Sequence, residues 1–171
     1  MTLTELNALD EREVMELFRR CCGSRRWVQE MAAARPFATV DQLFRRAEEI
    51  WQRLSEDDWK EAFAHHPKIG DFQSLRQKFA QTASWSENEQ AAVRSASEEI
   101  VRRLAQGNRL YEQKFGHIFI VCASGKSAEE MLMLLEQRLH HSPEEEIVVA
   151  ANEQARITRL RLEKVLSNTE S

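Results

Sequence analysis

Glycine and proline are scarce in this chain, with five and three copies in 171 residues. A shortage of the two residues that punctuate turns excludes collagen-like, loop-rich and low-complexity architectures. Long apolar runs are missing as well: none approaches the roughly 20 residues that span a bilayer, so no membrane span is expected. Cysteine occurs three times, and the adjacent Cys21 and Cys22 sit in a helical pattern that would need strain to bridge, leaving Cys122 without a partner. A reducing, cytoplasmic compartment is therefore expected. The polar, acidic Met1–Asp10 does not read as a secretory signal, nor Asn168–Ser171 as a peroxisomal address. Excess positive charge is absent: 28 acidic against 24 basic residues give a net charge of -4, a field that repels polyanions, so nucleic-acid binding is not expected. There is no Cys-x-x-Cys. The pairs His65-His66 and His140-His141 are adjacent and do not share a helix face, so no metal site is expected.

What is abundant is Glu, Gln, Arg, Leu and Ala, the composition of helices. Start signals fall at intervals: Asp10 with Glu13, Thr39 with Gln42, Ser55 with Asp58, and Ser142 followed by Pro143. Val14, Leu17, Phe18 and Cys21 make one apolar stripe, Trp27, Met31 and Ala32 a second, and Leu43, Ala47, Ile50, Trp51 and Leu54 a third. With the helix that begins at Ser55, four helices are expected before residue 65. A long helix over Glu87–Lys114 follows, with Gly107 as a candidate kink. Phe119–Ala123 reads as a buried extended segment, and helices over Ser127–His140 and Pro143–Leu166 close the chain. In the last helix Ile147, Val148, Ala151, Ile157, Leu160 and Val165 are the apolar positions. The expected fold is all-α: one compact helical-bundle domain of roughly eight helices over residues 1–171.

Four constellations carry possible chemistry, each beside a plainer explanation. Gly125-Lys126-Ser127 after an apolar run resembles half of a phosphate-binding loop, but Ile120 stands where the motif needs glycine, and a turn with Ser127 as helix N-cap explains it better. His140-His141 suits solvated surface near a helix C-terminus. His66 is held between a helix end and Pro67, a position whose orientation the backbone sets; histidine there serves as a general acid or base, although most loop histidines are idle. Ser86 and Glu89 read as a capping box, with Ser84 and Glu87 as an overlapping alternative, and Glu89 with Gln90 also places a carboxylate and a carboxamide beside free amides at a helix start, a site for an anionic polar ligand. Arg156, Arg159 and Arg161 point in different directions from the last helix. An inward Arg161 needs a carboxylate or an anionic ligand to offset the burial of its charge, the alternative being to snorkel to solvent.

In chain order, Arg35-Pro36-Phe37, Ala64-His65-His66-Pro67-Lys68-Ile69-Gly70, Ser86-Glu87-Asn88-Glu89-Gln90, Asn108 through Gly116, Phe119–Ala123 and Ile157 through Leu162 resemble the OHCU decarboxylase family of urate degradation. The resemblance implies an all-helical, cofactor-free decarboxylase that converts 2-oxo-4-hydroxy-4-carboxy-5-ureidoimidazoline to (S)-allantoin, with that small molecule as its partner. It implies that His66 is the catalytic histidine, Glu89 its partner carboxylate and Arg161 the arginine that engages the substrate. Pro67, Ser86 and Gln90 would line the pocket, and the backbone of Phe119, Ile120, Val121, Cys122 and Ala123 would bond the ureido and ring amides. Cofactor independence is chemically reasonable because the substrate holds its own electron sink as an enolate, leaving the protein to orient it, place charge and deliver a proton. His117 departs from the apolar residue usual in the family.

A different class of function competes with this reading: a non-catalytic helical interaction module with the same fold. Nucleotide binding at Lys126 and metal-assisted hydrolysis rank below both. Apolar residues on the first or last helix would support a symmetric homodimer, the expected assembly.

Overall fold

A computed structural model describes residues 1–66 and 87–167, with side chains outside 87–97. Among these residues every regular element is an α-helix, and there are eight: α1 (Leu3–Ala8), α2 (Glu11–Cys21), α3 (Arg25–Ala33), α4 (Val40–Arg53), α5 (Glu56–Ala64), α6 (Glu87–Phe115), α7 (Ala128–Arg138) and α8 (Pro143–Ser167). None is long and apolar enough to cross a membrane.

The start signals work as read. Asp10, Thr39 and Ser55 accept hydrogen bonds from the amides of Glu13, Gln42 and Asp58, satisfying donors that a helix's first turn leaves open. Ser127 and Ser142 do the same for Glu130 and Glu145. One element went unread: α1 precedes the four expected helices, closed by a capping box between Thr2 and Glu5. Gly107 is not a break. α6 runs through it without interruption, and a Cβ there would come 2.6 Å from Leu135 Cδ2, so the missing side chain lets α6 and α7 pack closely.

The described residues fall into two compact units. The first comprises residues 1–66 with 149–167, and the second residues 87–148. In the first, the apolar stripes of α2 to α5 bury Val14, Phe18, Trp27, Met31, Leu43, Ile50 and Phe63. Its buried indoles are satisfied: Trp27 Nε1 donates to Ala47 O at 3.1 Å and Trp51 Nε1 to Ala151 O at 2.9 Å. Arg35, from the break after α3, reaches the carbonyls of Leu6 at 3.1 Å and Leu9 at 2.7 Å and so ties down the end of α1.

The core of the second unit gathers Val101, Leu104, Ala105, Tyr111 and Phe115 of α6 with Met131, Leu132 and Leu135 of α7. Residues 118–123 run beside it without strand pairing, the extended segment expected, with Phe119, Val121 and Ala123 against the core. Its anchor is a buried ion pair. Arg138, 4% exposed, donates through Nη2 to Glu146 Oε2 at 2.6 Å and through Nη1 to Ile120 O at 2.8 Å, while its guanidinium lies 4.6 Å from the Phe119 ring centroid. Tyr111 also donates to Glu146, and His141 Nδ1 lies 3.0 Å from its other oxygen. This corrects the surface reading of His141: it is half-buried against a carboxylate. Burial works to raise the pKa of Glu146, but the donors from Arg138, Tyr111 and His141 outweigh it and hold the carboxyl below its ordinary value.

The apolar face expected of α8 also needs correction. Val148 is 49% exposed, and Ile157 and Leu160 are half-buried. The buried line is Ile147, Ala150, Ala151, Gln154, Thr158 and Leu162, which has helical spacing but carries two polar side chains.

Candidate functional site

Three chain segments converge in the first unit on a cleft of about 500 Å³, lined by Glu16, Arg19, Arg20, Gly23, Ala62, His65, His66 and Arg161. Each has a local reason to be there. α5 ends at Ala64 with His65 as its cap, and the amide of His66 still donates to Phe63 O at 3.2 Å, so His66 stands one residue beyond a closed helix end. It is the loop position expected before Pro67. Gly23 lets that helix end approach the link between α2 and α3, because a Cβ at this position would collide with the His65 ring.

Arg161 arrives from α8. Its Nη1 lies 3.3 Å from Cys21 O and 3.5 Å from Arg20 O, the open carbonyls at the negative end of α2. No carboxylate among the described residues pairs with it, whereas Arg156 and Arg159 pair with Glu153 at 3.0 Å and Glu163 at 3.1 Å. Arg159 also stacks on Phe44 and lines a different cavity of about 320 Å³ with Trp51 and Asn152. Of the two arginines that compete for the family motif, Arg161 is therefore the one beside His66. The cleft holds three arginines against one glutamate, a balance that attracts an anion.

His66 is half-buried and its pKa lies below the ordinary histidine value. Burial is the main cause; an acceptor from Gln154 opposes it, and the charges of Arg161 and His65 add to it. A neutral imidazole at physiological pH is able to take a proton. Its Nε2 is hydrogen-bonded to Gln154 Oε1. Gln154 Nε2 donates in turn to Thr158 Oγ1 at 3.0 Å. Sequence reasoning missed Gln154 altogether and used Thr158 only to set the register of Arg161.

None of the remaining expected site residues is among the described residues of the first unit. Pro67 and Ser86 fall outside the described residues; Glu89 and Gln90 lie in the first turn of α6, where the backbone is described and the side chains are not. Phe119–Ala123 belong to the second unit. There Ile120 O accepts from Arg138, Cys122 O from Lys126 Nζ at 2.8 Å and Ala123 O from the Lys126 amide at 3.1 Å. Lys126 is thus turned back onto its own segment, and Ser127 caps α7, the arrangement that explained Gly125-Lys126-Ser127 better than a phosphate loop did. His117 is buried, edge-on to Tyr111 at 5.4 Å between ring centroids, so an imidazole fills the usual apolar position by packing on aromatics. All three cysteines are buried and none forms a disulfide.

A family model described as OHCU decarboxylase matches residues 7–163. The chain belongs to the OHCU decarboxylase family. It is 38% identical over 151 residues to the uric acid degradation bifunctional protein TTL of Arabidopsis thaliana, a match that covers 86% of this chain and 46% of that protein. This chain thus spans less than half the length of the Arabidopsis relative. It is 25% identical over 169 residues to the 2-oxo-4-hydroxy-4-carboxy-5-ureidoimidazoline decarboxylase of Haloferax volcanii, covering 98% of each. Among solved structures it is similar to an OHCU decarboxylase crystallised in the presence of (S)-allantoin, with 36% identity, a TM-score of 0.70, and coverage of 88% of this chain and 96% of that one. The all-helical fold expected from composition is the fold of this family.

Proposed function

We propose that this OHCU decarboxylase family member decarboxylates 2-oxo-4-hydroxy-4-carboxy-5-ureidoimidazoline to (S)-allantoin without a cofactor. One observation carries the proposal: His66 and Arg161, widely separated in sequence, line one electropositive cleft in which the histidine is held neutral and the arginine has no carboxylate partner among the described residues. Arg161 pins an anionic group of the substrate, and His66 takes the proton of the 4-hydroxyl. The bond to the carboxylate breaks, carbon dioxide leaves, and the electron pair stays on the ring as an enolate that the substrate itself delocalises. A proton returned to one face sets the configuration of the product. Glu89 as the partner that sets the protonation of His66, Pro67, Ser86 and Gln90 as pocket residues, and the backbone of 119–123 as a hydrogen-bonding segment belong to the same proposal. The solved relative crystallised with (S)-allantoin supports it.

The chain is proposed to act as one functional domain, since one family model runs across both units. A symmetric homodimer and a cytoplasmic location complete the reading; three buried cysteines, none of them in a disulfide, support the latter. The test is to make the substrate in situ from urate with urate oxidase and hydroxyisourate hydrolase, add the protein, and follow circular dichroism. Optically active allantoin forming faster than the racemic background supports the decarboxylase; an unchanged racemic background leaves a non-catalytic helical module. Light scattering on the eluted protein reads the assembly.

A further inference from the structure

The bond between His66 and Gln154 is one end of a longer chain. Gln154 is fully buried and Thr158 is 5% exposed, one helical turn apart on α8. Thr158 in turn meets Cys22, which is fully buried and whose thiol pKa is pushed up to about 12 by that burial. Each link has a direction. The Thr158 oxygen accepts from Gln154 Nε2, and the amide oxygen of Gln154 is therefore left facing the imidazole. An amide oxygen only accepts, so the ring nitrogen it meets must carry a hydrogen.

We propose that Gln154, held by Thr158, is a positioning residue that keeps His66 in the Nε2–H tautomer and in one orientation, so that Nδ1 carries the lone pair that takes the proton. This rests on the decarboxylase reading and adds to it which nitrogen of His66 is the base. The burial of Gln154 and Thr158 gives the amide no solvent to turn toward, and no buried side-chain nitrogen or oxygen among the described residues lacks a partner. Among the described residues, the titratable and charged groups that share the cleft with His66 are Glu16, Arg19 and Arg20 from α2, His65 at the end of α5, and Arg161 from α8. None of them replaces the Gln154 acceptor at Nε2.

The experiment has two arms. Nitrogen-15 spectra of histidine-labelled wild-type protein at neutral pH read the tautomer without any turnover. A pyrrole-like Nε2 and a pyridine-like Nδ1 for His66 are expected; the reverse pattern, or rapid averaging of the two, overturns the proposal and leaves the decarboxylase reading untouched. In the second arm, pH–rate profiles are taken for wild type, Gln154→Glu, Gln154→Leu and Thr158→Val. Gln154→Glu puts a carboxylate on Nε2–H, stabilises the imidazolium and moves the acid limb of kcat to higher pH. Gln154→Leu lowers kcat on the order of 10- to 100-fold, with KM nearly unchanged, the scale of a misplaced general base. Thr158→Val lowers kcat less, and adding it to Gln154→Leu costs nothing further, because its effect runs through the amide. A limb that stays in place in Gln154→Glu, or additive losses in the double variant, would mean that the chain only fills space. If no variant and no wild type turns over substrate, the spectra still decide the tautomer.

Discussion

Arg138 and Arg161 are the same residue put to opposite uses. Around Arg138 every group is closed: its guanidinium meets Glu146, Ile120 O and the Phe119 ring, and Glu146 meets Tyr111 and His141 besides. Around Arg161 the hydrogen bonds among the described residues are to two backbone carbonyls at 3.3 and 3.5 Å, and it lines the cleft beside His66. The first region spends its charge on holding an extended segment in place. On the proposed reading, the second keeps its charge for the substrate. A buried arginine with a matched carboxylate is structure, whereas one at a cleft edge beside a neutral histidine is a place for an anion.

Exchanging the two arginines for methionine is the strongest way to break this contrast. Arg138→Met leaves Glu146 charged and buried without its main partner and should destabilise the protein by about 3 to 5 kcal/mol in chemical denaturation. Arg161→Met should change stability by no more than about 1 kcal/mol while removing most of the turnover. Equal losses of stability in the two variants would erase the distinction. Gly23→Ala comes next: its methyl group collides with His65, so it should cost about 1 to 3 kcal/mol and reduce turnover by displacing the neighbouring His66. A melt and a rate on the same sample check both.

Acid separates the regions in a third way. The Glu146 carboxyl is depressed below its ordinary value, so as pH falls the unfolded chain takes up its proton first. The stability this group contributes is present above its unfolded pKa and is lost as pH drops through the folded one. In Glu146→Gln that part of the acid dependence should vanish from the denaturation midpoints, and an unchanged slope would show that other carboxyls dominate. The smallest effect is expected at Arg159, whose pairing with Glu163 is exposed: Arg159→Gln should move stability by less than about 1 kcal/mol and leave turnover as it was. A large loss of turnover there would transfer the anion-binding role away from Arg161.

The helices were legible because their signals are local. A serine, threonine or aspartate three residues ahead of an open amide works the same way in any protein, and Asp10, Thr39, Ser55 and Ser142 each did so. Thr2 with Glu5 was equally visible, but the stretch was weighed as a polar terminus rather than as a helix start. The position of His66 beyond a helix end was also local, set by Pro67. What periodicity hides is a polar residue on a buried face. Gln154 and Thr158 occupy helical spacing on the inner side of α8, yet a hydrophobic count assigns that side to Ile157 and Leu160, because it has no means of knowing that an imidazole, an amide and a hydroxyl will satisfy one another. Glu146 was hidden for the same reason: an acid in the first turn of a helix is normally a solvated partner of the dipole, and its burial is decided by Arg138 on the preceding helix and by Tyr111, 35 residues away.

The central claim is that the cleft holding His66 and Arg161 is where the chemistry occurs. The most direct test is the circular dichroism of allantoin formed in the coupled assay by wild type and by His66→Ala at equal concentration, with a melt to confirm that the variant is folded. Rapid, optically active product from wild type and only the slow racemic background from a folded His66→Ala is the predicted result. Optically active product at the wild-type rate from His66→Ala would place the reaction elsewhere and contradict the account.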